Sequence, residues 1–293
     1  MISQLPLVIA CTCLAWAAGL FASQCALALR GGSAHTQLPA GIIVLLLLVA
    51  GGFCMVMRTQ RWDKLFNVFS NIGSTITQQW IGIAVLALFV VVYLLILRRS
   101  EGEPPAVLSI IGIIIALALI VATGRGLMMP TRPVIDVAMS VLVILGGACV
   151  LGPATMAAIE SVCKADPVYS GGLAVIGSAL NVITTIAALV FMQISITAAA
   201  AAKSTQVRYG FDPTNPTSSL TAAPVAVPFA GDSLLFSIAA IACAVLACVC
   251  AVMGKKKGSW KVHGTLAALC GAVSVACVLI VSFQTGMSFS ISF

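Results

Sequence analysis

Charge is what this sequence has least of. Only 8% of its 293 residues are Asp, Glu, Lys or Arg, where a soluble domain carries roughly a quarter. That excludes a water-soluble globular fold. It also removes nucleic acid as the reason for the net charge of +7, because the basic residues are dispersed between apolar runs rather than gathered in a patch. Histidine is scarcer still. His35 and His263 are the two in the chain, and both fall between apolar runs, so no pair stands on spans to ligate a membrane haem. The eleven cysteines include no C-x-x-C pair of the kind that holds zinc or an iron–sulfur cluster. The Cys11/Cys13 and Cys248/Cys250 pairs point to different helix faces, and the rest read as small apolar residues within spans, with Cys163 at a span end. Acidic and basic groups are missing from the depth of every apolar run, which argues against an ion-coupled pump. There is no basic segment ahead of the first run, and that run is too long for a signal-peptide core, so it reads as a retained span.

What is present in quantity is hydrocarbon. The chain is 61% hydrophobic with a mean hydropathy of +1.15. Runs long enough to cross a bilayer, at roughly 20 residues each, cover residues 5–29, 41–57, 80–97, 106–123, 134–159, 173–199, 233–253 and 265–283. The expectation is an all-α polytopic membrane protein, a bundle of eight transmembrane helices forming one domain over residues 1–293. Gly146-Gly147 and Gly152-Pro153 in the fifth run predict close helix approach and a kink. The connections are short except for 200–232, which carries four prolines and reads as a long polar loop. Residues 160–172, with Glu160, Lys164 and Asp166, read as a smaller polar loop. No internal repeat stands out.

The connection over residues 58–80, RTQRWDKLFNVFSNIGSTITQQW, has the most character. Trp62, Leu65, Phe66 and Phe69 recur at i, i+3, i+4, i+7, which predicts a short amphipathic helix lying flat in the interface. Asn71, Gly73 and Ser74 end it. Thr75 followed by Gln78 fits a capping box, so a new helix is expected there, with Trp80 in the aromatic belt of the third span. Spacing alone describes a membrane-surface elbow.

Charge leaves the orientation close to a tie. Arg30, Arg98, Arg99, Lys164, Lys255, Lys256, Lys257 and Lys261 fall at one face; Arg58, Arg61, Lys64, Arg125, Arg132, Lys203 and Arg208 fall at the other. The tight lysine cluster at 255–261 favours the first face as the inner one.

The elbow resembles that of the membrane anchor of anaerobic dimethyl sulfoxide reductases, the DmsC family. The matching elements are Lys64-Leu65-Phe66-Asn67 and Gly73-Ser74-Thr75, with Arg125, Met128 and Met129 after the fourth span and Gly152-Pro153 in the fifth. The resemblance implies an anchor in a bacterial inner membrane, with both termini outside. It implies an iron–sulfur electron-transfer subunit and a molybdopterin catalytic subunit docked on the outer face, and menaquinol as the substrate. The anchor itself would hold no redox centre and would be the non-catalytic-site subunit of a quinol-linked oxidoreductase complex in anaerobic respiration. Arg58, Arg61, Lys64, Asn67, Gln78 and Arg125 are then the expected quinol-binding residues. Two positions depart from the family. Arg58 stands where the family has a histidine, and Trp80 where it has a glutamate. Neither side chain takes up a proton near neutral pH. The competing class is a non-redox membrane protein, either a small-molecule permease or a purely structural anchor. A permease predicts repeats and polar residues at mid-depth, and only Asn181 and Gln193 meet the second condition.

Overall fold

The computed structural model describes residues 5–31, 34–59, 73–100, 105–127, 137–206, 227–231 and 233–285; the side chains of 34, 58–59, 137–138 and 198–206 lie outside that description. All regular structure among these residues is helical. In chain order the helices are α1 (Leu5–Ala28), α2 (Ala34–Thr59), α3 (Thr75–Arg99), α4 (Ala106–Gly126), α5 (Val137–Val162), α6 (Val168–Gln206), α7 (Ser233–Lys257) and α8 (Trp260–Gln284). Each of the eight has a stretch long and apolar enough to cross a membrane, so the chain is a multi-pass membrane protein. As successive membrane crossings the helices alternate in direction, which puts the starts of α1, α3, α5 and α7 and the ends of α2, α4, α6 and α8 at one end of the bundle, the elbow end. The 28–34, 99–106, 162–168 and 257–260 connections share the other.

Burial sorts the helices. Within their apolar stretches α5 is 78% buried and α1 67%, against 28% for each of α3 and α7. Thus α1 and α5 form the centre and pack directly on each other. Their contact is close because it is built on glycine. A Cβ on Gly19 would strike the carbonyl of Ala148, and one on Gly152 would strike the backbone of Gly19. Small residues let membrane helices approach until backbones touch, and the gain is dispersion rather than expulsion of water. Trp16 Nε1 then donates to Thr155 Oγ1 at 2.8 Å across the same seam. Around this pair the two halves repeat one packing order. α1 packs on α2, α4 and α5, and α5 packs on α6, α8 and α1; α3 sits against α2 and α4 as α7 sits against α6 and α8. The first hairpin of each half is closed by a buried polar link at the end opposite the elbow. In the first half Gln24 Nε2 donates to the Gln37 carbonyl at 2.9 Å. In the second, the Ser170 hydroxyl donates to the Glu160 carboxyl. The outer faces are apolar, with Val49, Leu88 and Leu235 each about 70% exposed, as lipid contact requires.

Several boundaries differ from the sequence reading. α2 begins seven residues earlier than expected, so His35 lies exposed in its first turn rather than in a loop. α8 begins at Trp260, and His263 is helical, its Nδ1 2.9 Å from Ser259 Oγ. α6 extends to Gln206, into the expected 200–232 loop; the alanine run 198–202 is good helix former and keeps the helix going. Glu160 is the largest correction. It is a residue of α5, only 3% exposed, not part of a polar loop. Its carboxyl is tolerated there because Ser170 supplies a hydroxyl. α3 does start at the expected place, but Ser74 is its N-cap and makes no side-chain cap bond, so the capping box does not form.

Candidate functional site

The N-terminus of α3 and the C-terminus of α4 meet at the elbow end of the bundle, where Gly126 faces Gln79, and α2 ends at the same end at Thr59. The expected site residues distribute unevenly over this corner. Arg58 belongs to the last turn of α2, its side chain outside the description; Arg61, Lys64 and Asn67, with the amphipathic helix expected around Phe66, lie outside the described residues. Gln78 is in the first turn of α3 and half-buried, its backbone N–H bonded to the Ser74 carbonyl at 3.0 Å. Arg125 is exposed in the last turn of α4.

The group that occupies the corner is the next residue along from Gln78. Gln79 is 1% exposed, and among the described residues neither its Oε1 nor its Nε2 has a hydrogen-bond partner. A buried carboxamide left this way costs roughly 1–3 kcal/mol for each unmet group. The cost is tolerated in a packed membrane interior only where something else is served. Gly126 makes room for it. A Cβ at Gly126 would come within 2.7 Å of Gln79 Oε1, so any larger residue there would push the amide away. Gly124, two residues earlier, faces the other way: its Cβ position lies 2.7 Å from Val141 Cα, pinning the end of α4 to α5. The G-R-G sequence therefore does two jobs, holding α4 against the core and leaving room for the Gln79 amide itself. Thr77 is fully buried just before it, and Thr123 returns its hydroxyl to its own helix at the Leu119 carbonyl, 2.8 Å away.

Chemically, the corner offers a neutral group that both donates and accepts, at the depth of the first helical turn, with Arg125 on the adjoining helix end. It offers no carboxylate or imidazole among the described residues. Such a site holds a hydroxyl or a carbonyl and stabilises negative charge that develops on it; it does not itself take a proton.

The sequence reading chose Gln78 and missed Gln79, though a signal was there. From Gln79 onward the buried positions of α3 are Gln79, Ile83, Leu86, Val90, Tyr93 and Leu97, at alternating steps of four and three. Extending that stripe backwards from the large apolar residues lands on Gln79 and leaves Gln78 off it.

No protein-family model, no curated protein and no solved structure matches the chain.

Proposed function

We propose that this chain is the membrane anchor and menaquinol-oxidising subunit of a molybdopterin-dependent reductase of the dimethyl sulfoxide reductase type. In this reading it passes electrons to an iron–sulfur partner subunit in anaerobic respiration. It sits in a bacterial inner membrane with both termini and the elbow outside, and the molybdopterin subunit rides on the iron–sulfur subunit. The resemblance of residues 58–80 and 124–133 to the DmsC family supports it, as does the eight-helix plan. The observation that carries it is the buried, unpartnered carboxamide of Gln79 beside Gly126, at the elbow.

Menaquinol gives up two electrons and two protons and becomes menaquinone. Gln79 Oε1 accepts a hydrogen bond from one quinol hydroxyl, and its Nε2 donates once that oxygen has lost its proton. Arg125, with Arg58 and Arg61 as the resemblance assigns them, favours the anionic form of the head group. Because glutamine and arginine do not accept the protons, these pass to water at the outer face while the electrons go to the iron–sulfur subunit. The test is menaquinol-analogue oxidation and inhibitor affinity in membranes carrying Gln79→Leu, Gln78→Ala or Arg58→Ala, with assembly measured separately. Loss of a buried hydrogen bond at Gln79 is expected to weaken inhibitor binding about tenfold, with a smaller change for Gln78→Ala. Normal turnover and normal inhibitor affinity in assembled Gln79→Leu membranes would move the head group elsewhere.

The permease reading gains one observation, the repeated packing order of the two halves, which transporters also have. Against it, the seam between α1 and α5, where a passage between halves belongs, is closed by backbone contact at Gly19 and Gly152. Solute uptake by vesicles lacking any quinol oxidation is the result that favours it.

A further inference from the structure

We propose that the cleft between α4 and α6 is a phospholipid site, with one acyl chain in the cleft and the phosphate at Arg30. The cleft encloses about 290 Å³. Its floor is the α1–α5 contact, at Gly19, Ala22, Ala26 and Ala148, and its rims are Leu117 of α4 and Ile176 of α6. These rims are 44% and 68% exposed, so the cleft opens sideways into bilayer hydrocarbon. It lies in the half of the bundle away from the elbow, since Ala22 and Ala26 belong to the last two turns of α1.

The lining says what part of a ligand fits. No aromatic ring contributes to it. The one polar side chain is Ser23, and its hydroxyl is already bonded to the Gly19 carbonyl at 2.8 Å. There is nothing to hold a polar head or a flat ring inside, only aliphatic walls. An empty slot would forfeit dispersion along all of them, and hydrocarbon is the material available at that depth.

The mouth says what the head is. Arg30 stands in the turn just past the end of α1, and Tyr169 precedes Leu173, a wall residue, by four on α6. The two meet: the Arg30 guanidinium lies 4.5 Å over the Tyr169 ring. The α6 stripe that lines the cleft therefore leads out to a cation fixed by a cation–π contact at the end of α1. Arg30 is exposed and is paired with no carboxylate among the described residues. A planar guanidinium held at head-group depth suits a phosphate. An anionic phospholipid of that leaflet satisfies both ends at once.

The test uses the purified full chain in detergent and native mass spectrometry, with added phosphatidylglycerol or phosphatidylcholine of equal chain length. The wild type should retain one phosphatidylglycerol in preference to phosphatidylcholine. Arg30→Gln should lower phosphatidylglycerol retention about tenfold, the size of one charge-assisted contact, and abolish the preference. Leu117→Trp, which fills the cleft from its rim, should remove retention of both lipids; Ile176→Trp does the same from the other wall and serves if the first variant unfolds early in a thermal scan. Unchanged retention in either folded tryptophan variant overturns the proposal, even if Arg30→Gln weakens binding, because the phosphate would then be held without the chain. Equal binding of the two lipids by the wild type overturns it as well.

Discussion

The α3–α4 and α7–α8 hairpins occupy matching places in the two halves, and they are built to opposite specifications. The buried stripe of α7 steps by four and three through Ser233, Ser237, Ala240, Ala244, Ala247, Ala251 and Gly254, the same rhythm as in α3. In α3 the stripe is made of large side chains, whereas in α7 every member is small. Small residues bring α8 in until Ser274 Oγ on α8 donates to the Ala240 carbonyl at 2.9 Å and Trp260 packs over Gly254. Large ones keep α4 off α3 and leave pockets of polarity at the two ends, Gln79 at one and Tyr93, its hydroxyl 3.4 Å from Gln37 Oε1, at the other. One architecture thus gives a tight hairpin whose Ser237 and Ser274 hydroxyls bond to backbone, and a looser one with a carboxamide to spare. The candidate site falls in the looser hairpin because that is where an unmet polar group has room.

This contrast can be broken by trading the two chemistries. The largest effect is expected from Leu86→Ala, which removes a fully buried side chain from the stripe that depends on bulk. It should cost about 2–5 kcal/mol, read as a fall in the thermal midpoint in detergent. Ala244→Leu inserts bulk into the stripe that depends on its absence and should cost about 1–3 kcal/mol; a midpoint unchanged by Ala244→Leu would erase the distinction. Gly126→Ala should barely change the midpoint but should displace the Gln79 amide, lowering inhibitor affinity by about the same tenfold as Gln79→Leu. The smallest effect belongs to Ser274→Ala, about 0.6 kcal/mol, the usual size of a hydrogen bond between membrane helices.

The eight spans were legible because a membrane demands long apolar runs and little else interrupts them. Ends were less legible, since polar residues such as His35 and Trp260 continue a helix once it leaves hydrocarbon. Glu160 was read as loop because a carboxylate usually marks water; its burial depends on Ser170, ten residues away on another helix. The repeat between halves left no trace in residue identity, because it lies in which helices touch, and Ile-Leu-Val-Tyr stripes do not align with Ala-Ser-Gly ones. Gln79 was within reach through its stripe, whereas Gly126 was not: what a glycine makes room for is visible only when the neighbouring helix is in place. The elbow residues Arg61, Lys64 and Asn67 fall outside the described residues, so their part in the site rests on the resemblance.

The central position of α1 bears on how the protein is made. It precedes the other seven described helices in the chain, yet its main neighbour across the seam, α5, follows more than a hundred residues later. In the interval α1 faces lipid on the side that will be buried. Its sequence copes with that wait. Thr12 and Ser23 bond to the Val8 and Gly19 carbonyls of their own helix, each at 2.8 Å, so both enter the bilayer already satisfied. The Gln24 Nε2 finds the Gln37 carbonyl on the very next helix, while its Oε1 has no hydrogen-bond partner among the described residues. The first hairpin can therefore complete this polar pairing while the second half of the chain is still being synthesised, and the glycine face of α1 stays bare until α5 arrives to close on it.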